Sequence, residues 1–231
     1  MKNTKLQQPN SETADSVSAP VIQWRIDNWF KHISSDQRKR LKLYHAELCK
    51  FNKVLNLVSP KSLFISDAVH FADAMLSAEI VIEKLNKNNI LYDIGSGNGF
   101  PGLVYSALDP SLKITLVDTD QRKCEFLKHT ISLLGLVNAS VLNLAVEKLP
   151  EGSVQQAVAR GFAPLPRAML IMRKTVSVGG VMFHLKSEEW SQEVSQVPSQ
   201  LCSVWQPTLI GQYDLPSLTH KMYIVQADKI S

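Results

Sequence analysis

Cysteine is scarce in this 231-residue chain, and Cys49, Cys124 and Cys202 stand far apart with no paired spacing. That excludes a disulfide framework and a cysteine-built zinc cluster, and it makes a reducing, cytoplasmic setting the expectation. Long apolar runs are missing too, so no stretch reads as a membrane-spanning helix. The first twenty residues lack an apolar core and cannot serve as a secretory signal; residues 1–20 read as a polar, disordered tail. Nor is there a large excess of either charge. Lysine and arginine number 25 against 21 acids, a net +4 that permits an acidic partner without demanding one. Repeats and low-complexity tracts are absent. What the chain does have is a 45% hydrophobic content, enough for one well-buried domain with an accessory segment.

The pattern over 21–88 is helical and reads as an N-terminal extension. Trp24, Ile26, Trp29, Phe30 and Ile33 make one amphipathic segment. A second carries Leu41, Leu43, Leu48 and Phe51, with Ser34 or Ser35 as its cap. Pro60 breaks the pattern, and a further helix is expected over 67–85. From residue 89 to 231 the rhythm changes. Strand-like runs at 90–94, 113–118, 140–145, 155–161 and 181–186 alternate with helical stretches, and two more at 203–210 and 221–227 have only a loop between them. This implies an α/β fold with an open, mainly parallel sheet, helices on both faces and an antiparallel hairpin at one edge.

The densest local signal is LYDIGSGNGFPGL, 91–103, with four glycines in eight positions after a short strand. Glycine is costly in a fixed backbone, so the cluster implies a ligand held directly against the main chain. In this architecture, ligands bind beyond the carboxyl ends of the strands. Gly97, Gly99 and Gly102 formally match the dinucleotide fingerprint, which alone is weak. The wider pattern is Asp93, Gly95, Gly97, Gly99, with a carboxylate two residues before the first glycine. A carboxylate there suits a ligand carrying positive charge and is awkward beside a pyrophosphate. Asp118, ending the second strand, could accept hydrogen bonds from a ribose diol in either cofactor. The spacing resembles that of class I S-adenosylmethionine-dependent methyltransferases, whose Rossmann-like fold the alternation of strands and helices also suits.

Further stretches narrow the likeness: FNKVLNL (51–57), HFADAM (70–75), DIGSGNGFPGL (93–103), LVDTDQRKCEFL (116–127), AVEKLP (145–150), ARGFAPL (159–165) and the closing HKMYIVQADKI. Together these resemble the bacterial small-subunit ribosomal RNA guanine-N7 methyltransferases, the glucose-inhibited division protein B or RsmG family. The resemblance implies S-adenosyl-L-methionine as cofactor and 16S ribosomal RNA or the small subunit as partner. It places cofactor contacts on Gly95, Phe100, Val146, Glu147 and Arg160, besides Asp93, Gly97, Gly99 and Asp118 from the loop pattern. Arg160, ending the fourth strand, is the positioning candidate, and no catalytic residue is assigned. Three positions depart from the family: Val69 and Ala145 stand where arginines are usual, and Gly161 replaces an alanine.

Methylation at N7 of guanine uses a lone pair that carries no proton at neutral pH, so it needs no general base and rests on positioning and exclusion of water. No metal site is expected. His70 and Asp73, one helical turn apart, lack a third ligand and are read as a local hydrogen bond bracing the helix. Arg122, Lys123, Arg167 and Lys186 lie near strand ends and are candidate phosphate contacts, with Phe100 and Phe162 as stacking candidates at the rim. Other readings are a class I methyltransferase acting on a small molecule or protein, and a non-catalytic, cofactor-binding ribosome-assembly factor. A nicotinamide oxidoreductase comes last.

Overall fold

The computed structural model describes residues 21–231; the tail proposed for 1–20 lies outside them. The helical extension comprises α1 (Ile26–Trp29), α2 (Ser35–Leu55), α3 (Pro60–Phe64) and α4 (Asp73–Val81). Ser34 caps α2 through a reciprocal box. Its hydroxyl accepts the Gln37 amide at 3.2 Å, and the Gln37 side chain accepts the Ser34 amide at 2.8 Å. Asn56, in the left-handed region at φ 48°, ends that helix. Arg25 pins the first described segment by donating Nε and Nη2 to buried Asp67, both at 2.8 Å. The helix expected over 67–85 is divided. Asp67–Ala72 is a π-helical turn, α4 follows, and Ile82–Lys84 is 3-10.

Seven strands follow: β1 (Ile90–Ile94), β2 (Lys113–Asp118), β3 (Ala139–Asn143), β4 (Val154–Arg160), β5 (Val176–Lys186), β6 (Trp205–Asp214) and β7 (Lys221–Lys229). Between them run α5 (Gly102–Leu108), α6 (Gln121–Leu134), α7 (Leu165–Met172), α8 (Trp190–Ser195) and α9 (Ser199–Cys202). The sheet order is β3-β2-β1-β4-β5-β7-β6. The first five strands are parallel, while β7 runs antiparallel between β5 and the outermost β6. The α/β expectation with an antiparallel edge holds. Chain direction across the sheet reverses between β1 and β4, which puts a crevice beyond their carboxyl ends.

Two expected boundaries moved. β5 begins at Val176 and runs through Gly179 and Gly180 rather than after them. β6 continues past Ile210 to Asp214 because a bulge between Leu209 and Gly211 restores its pairing with β7. The short helices α8 and α9 carried no clear period in the sequence.

One face of the sheet is packed by α5, α6 and the extension, with Leu41, Tyr44, Phe71, Phe100, Leu103 and Phe126 in a single buried cluster. The other face is packed by α7, where Trp205 Nε1 donates to the Met169 carbonyl at 3.1 Å. Among the described residues no helix is long and apolar enough to cross a membrane.

Candidate functional site

The loop after β1 is folded by hydrogen bonds its own sequence supplies. The amides of Gly95 and Ser96 donate to the Val117 carbonyl at 2.9 and 3.1 Å, tying the loop to β2. Ser96 Oγ donates to the Asp93 carbonyl at 2.7 Å and accepts the Val117 amide at 2.9 Å. Gly95, Gly97 and Gly99 have φ of 69°, 52° and 96°, a region that side chains disfavour.

Gly99 is the most constrained of the three. A Cβ there would lie 2.5 Å from Leu103 Cδ1 and 2.7 Å from Tyr44 Oη. Tyr44 cannot yield easily, since it is fully buried and its hydroxyl donates to the Asn98 carbonyl at 2.6 Å. Gly99→Ala is therefore expected to cost roughly 3 kcal/mol from backbone strain and overpacking together. Urea unfolding measures this; an unchanged midpoint would show that the loop relaxes freely.

Asp93 is 1% exposed. Its Oδ2 accepts the Gly102 amide at the start of α5 at 2.9 Å, while Oδ1 has no partner among the described residues. Burial pushes this carboxyl up to about 7, against smaller opposing contributions from the Gly102 amide and Arg160. Asp118 is oriented at both oxygens. Oδ2 accepts the Gly97 amide at 2.7 Å and Oδ1 the Asp120 amide at 2.9 Å.

Two cavities open beyond the strand ends. The smaller, about 290 Å³, is lined by Gly95, Asp118, Val146, Glu147 and Phe162, with Leu144 and Ile171 among its apolar walls. Val146 opens a 3-10 turn (Val146–Lys148), which leaves its amide without an intrahelical acceptor. The larger, about 1090 Å³, is bordered by Arg160, Phe162, Asn98 and Lys61. Phe162 alone lines both. A Cβ on Gly95 would come within 2.8 Å of the Phe162 ring, so the bare backbone at Gly95 leaves room for it. A third hollow, about 420 Å³ between Phe30, Met75 and Leu108, lies at the opposite end of α5.

Of the residues singled out in the sequence, Gly95, Asp118, Val146 and Glu147 come together around the smaller cavity, and Gly97 is tied to it through Asp118. Asp93, Gly99 and Phe100 line neither cavity. Phe100 is 2% exposed, stacked against Tyr44 at 5.0 Å and His70 at 5.4 Å and edge-on to Phe71 at 4.9 Å. It is a packed plate and not a rim residue, so the stacking role expected of it is corrected; only Phe162 faces open space.

Arg160 lies with its guanidinium 5.2 Å from the Phe100 ring centroid. It donates Nη1 to Asp73 Oδ2 at 2.9 Å and to the Val69 carbonyl at 3.1 Å, and Nη2 to His70 Nδ1 at 3.0 Å. His70 and Asp73 thus grip Arg160 instead of each other, which corrects the local brace expected of them. The π turn is what sequence reasoning missed, since no periodicity signals an extra residue in a helix.

The basic candidates separate. Lys186 borders the larger cavity, but its Nζ donates to the Ala163 carbonyl at 2.9 Å and to Glu193 Oε2 at 2.7 Å with its side chain 12% exposed, so its charge is already paired within the protein. Arg122 is exposed but gives Nη2 to the Val54 carbonyl at 3.0 Å, joining α6 to the end of α2. Arg167 is exposed, and Lys123 is partly so on the first turn of α6. No group of three metal-binding side chains occurs among the described residues.

Residues 37–208 match the family described as rRNA small subunit methyltransferase G. A ribosomal RNA small subunit methyltransferase G 3 from Bdellovibrio bacteriovorus is 47% identical over 93% of this chain and 97% of its own length. A ribosomal RNA small subunit methyltransferase G from Paracoccus denitrificans is 34% identical over 71% of this chain and 84% of its own. Among solved structures, a predicted O-methyltransferase from Agrobacterium tumefaciens superposes with TM-score 0.54 at 21% identity, covering 69% of this chain and 81% of that one. A tRNA (m1A58) methyltransferase from Aquifex aeolicus gives 0.52 at 15% identity, with 69% of each chain covered.

Proposed function

Since this chain belongs to the rRNA small subunit methyltransferase G family, we propose that it methylates N7 of a guanine in 16S ribosomal RNA. It is an S-adenosylmethionine-dependent methyltransferase of small-subunit ribosomal RNA. The cofactor supplies an electrophilic methyl group on a sulfonium centre. The residues fit that group: the smaller cavity carries two carboxylates, Asp118 and Glu147, beside the apolar Val146 and Leu144. Acceptors of that kind suit a ribose diol and a ligand of net positive charge. In this reading Gly95, Gly97, Asp118, Val146, Glu147 and Arg160 hold the cofactor, and Asp93, Gly99 and Phe100 shape the loop and the floor from beneath.

The observation that carries the reading is the pair of cavities that share Phe162 as a wall. A nucleobase in the larger cleft would lie one side chain away from the cofactor cavity, where an aromatic face favours a planar base. The titratable groups agree with N7 as acceptor. Burial pushes His70 well down, Arg160 adding to it, and pushes His184 down to about 3. Both imidazoles are neutral at pH 7 and neither is poised to shuttle a proton. Asp93, whose carboxyl is pushed up to about 7, lines neither cavity. The chain's work is to orient the acceptor and exclude water.

The test is incubation of the purified protein with radiolabelled S-adenosylmethionine and small subunits lacking the mark, followed by mapping of the label. Label in 16S RNA at a guanine N7 is the expected result; label on another atom or molecule, or none, sinks the proposal. Binding to naked RNA should weaken steeply with salt, its logarithmic slope falling by about 1 for each phosphate contact removed. Arg167→Gln and Lys123→Gln should each flatten that slope. Lys186→Met should leave the slope unchanged and lower the melting temperature instead.

A further inference from the structure

Asp73 is 1% exposed, and both its oxygens are engaged. Oδ2 accepts from Arg160, and Oδ1 accepts the hydroxyl of Tyr213 at 2.7 Å, from a residue 140 positions further along the chain. Tyr213 stands on β6, the outermost strand, separated from the parallel strands by β7.

Two features bring it there. The bulge between Leu209 and Gly211 resets the alternation of side chains along β6, so the residues after it change faces. Gly211 itself lets α4 settle directly on the strand, since a Cβ there would lie 2.8 Å from Ile80 Cδ1. Asp73 opens that same helix. Close approach at Gly211 therefore brings the first residue of α4 within reach of Tyr213.

The grip on Arg160 is directional. A guanidinium can only donate, so His70 must offer a lone pair at Nδ1 and carry its proton on Nε2. That Nε2 is buried without a partner among the described residues. His70 and the Val69 carbonyl hold two edges of the guanidinium, Phe100 faces it, and Asp73 supplies the charge. A carboxylate torsion is broad and roughly two-fold unless something fixes it. Tyr213 fixes this one.

We propose that Tyr213 is a positioning residue for methyl transfer, acting through Asp73 to hold the Arg160 guanidinium where it meets the cofactor. The proposal rests on the reading that Arg160 touches the cofactor. Phenylalanine fills the same volume as tyrosine, so Tyr213→Phe removes the hydrogen bond alone.

Calorimetric titration of S-adenosylhomocysteine into the cofactor-free protein tests this through a double-mutant cycle of Tyr213→Phe and Arg160→Gln. Tyr213→Phe should weaken binding about tenfold, the order of effect that losing one hydrogen bond has on an equilibrium. In the Arg160→Gln background the same change should do nothing further. Unaltered binding by Tyr213→Phe, or an equal loss in both backgrounds, overturns the proposal, because a merely structural role would act independently of Arg160. If Arg160→Gln does not fold, Asp73→Asn takes its place in the cycle with the same expectation. Absence of binding to the unsubstituted protein would overturn the functional reading and this inference with it. Binding that ignores Tyr213 overturns the inference alone.

Discussion

Asp93→Asn is expected to make the cofactor-free protein more stable at pH 8 while weakening its hold on the cofactor. The carboxyl is buried, lacks a partner at Oδ1, and is raised from 3.8 to about 7. A folded-state value above the unfolded one means that folding is progressively opposed as pH rises from about 4 to about 7. Above that window the full penalty applies, on the order of 4 kcal/mol for a shift of this size. Asparagine keeps an oxygen for the Gly102 amide but leaves its own amide unpaired, a loss of about 1–3 kcal/mol. The difference favours the variant at pH 8 by roughly 1–3 kcal/mol. At pH 4 the balance reverses. Removing the negative charge from beneath the loop should also weaken affinity for a ligand of net positive charge at least tenfold. Urea midpoints of both proteins at pH 4, 6 and 8 decide the matter; a gap that does not change with pH would show that Asp93 is not the titrating group. The wild-type protein thus gives up stability at neutral pH to keep an anion under the glycine loop, as sites shaped for function often do.

Arg160→Ala is expected to lose on two independent counts. It leaves Asp73, 1% exposed, as a buried anion whose remaining side-chain partner is Tyr213. Breaking a buried pair from one side costs about 3–5 kcal/mol, a large share of a typical folding free energy of about 5–15 kcal/mol. A clear fall in melting temperature follows. From the sequence, an arginine at a strand end looks removable without harm to the fold; the structure shows why this one is not. The second loss is cofactor affinity. The two separate in the double variant Arg160→Ala with Asp73→Asn, which removes the stranded charge. Stability should largely return in it, and S-adenosylhomocysteine binding should not. If affinity returned together with stability, Arg160 would be a structural residue only.

Much of this was legible in the sequence because it is local. Apolar runs such as KITLVD mark buried strands, and the glycine spacing after β1 marks the turn where backbone must be bare. Asp118 could be picked out because strand ends in this architecture fall at one edge of the sheet, whereas Val146 and Glu147 came only from the family resemblance. Phe100 shows the limit. Its place after the glycines suggests a pocket wall, but Tyr44 and Phe71, distant in the chain, bury it. Lys186 looked like a free cation until Glu193, on the short helix α8, took it. The π turn at Asp67–Ala72 and the bulge in β6 each add one residue to a regular element, and such an insertion leaves no trace in hydrophobic periodicity. Those two irregularities are what place His70, Asp73 and Tyr213 around Arg160.

The position of β7 carries a consequence for timing. It follows β6 in the chain yet lies between β5 and β6, so while the protein is being made β6 emerges with nothing to pair against. Tyr213 can meet Asp73 only after β7 has left the exit tunnel and filled the gap. A nascent chain therefore carries its glycine loop, both cavity carboxylates and the direct partners of Arg160 early, and gains the Tyr213 hydrogen bond to Asp73 last.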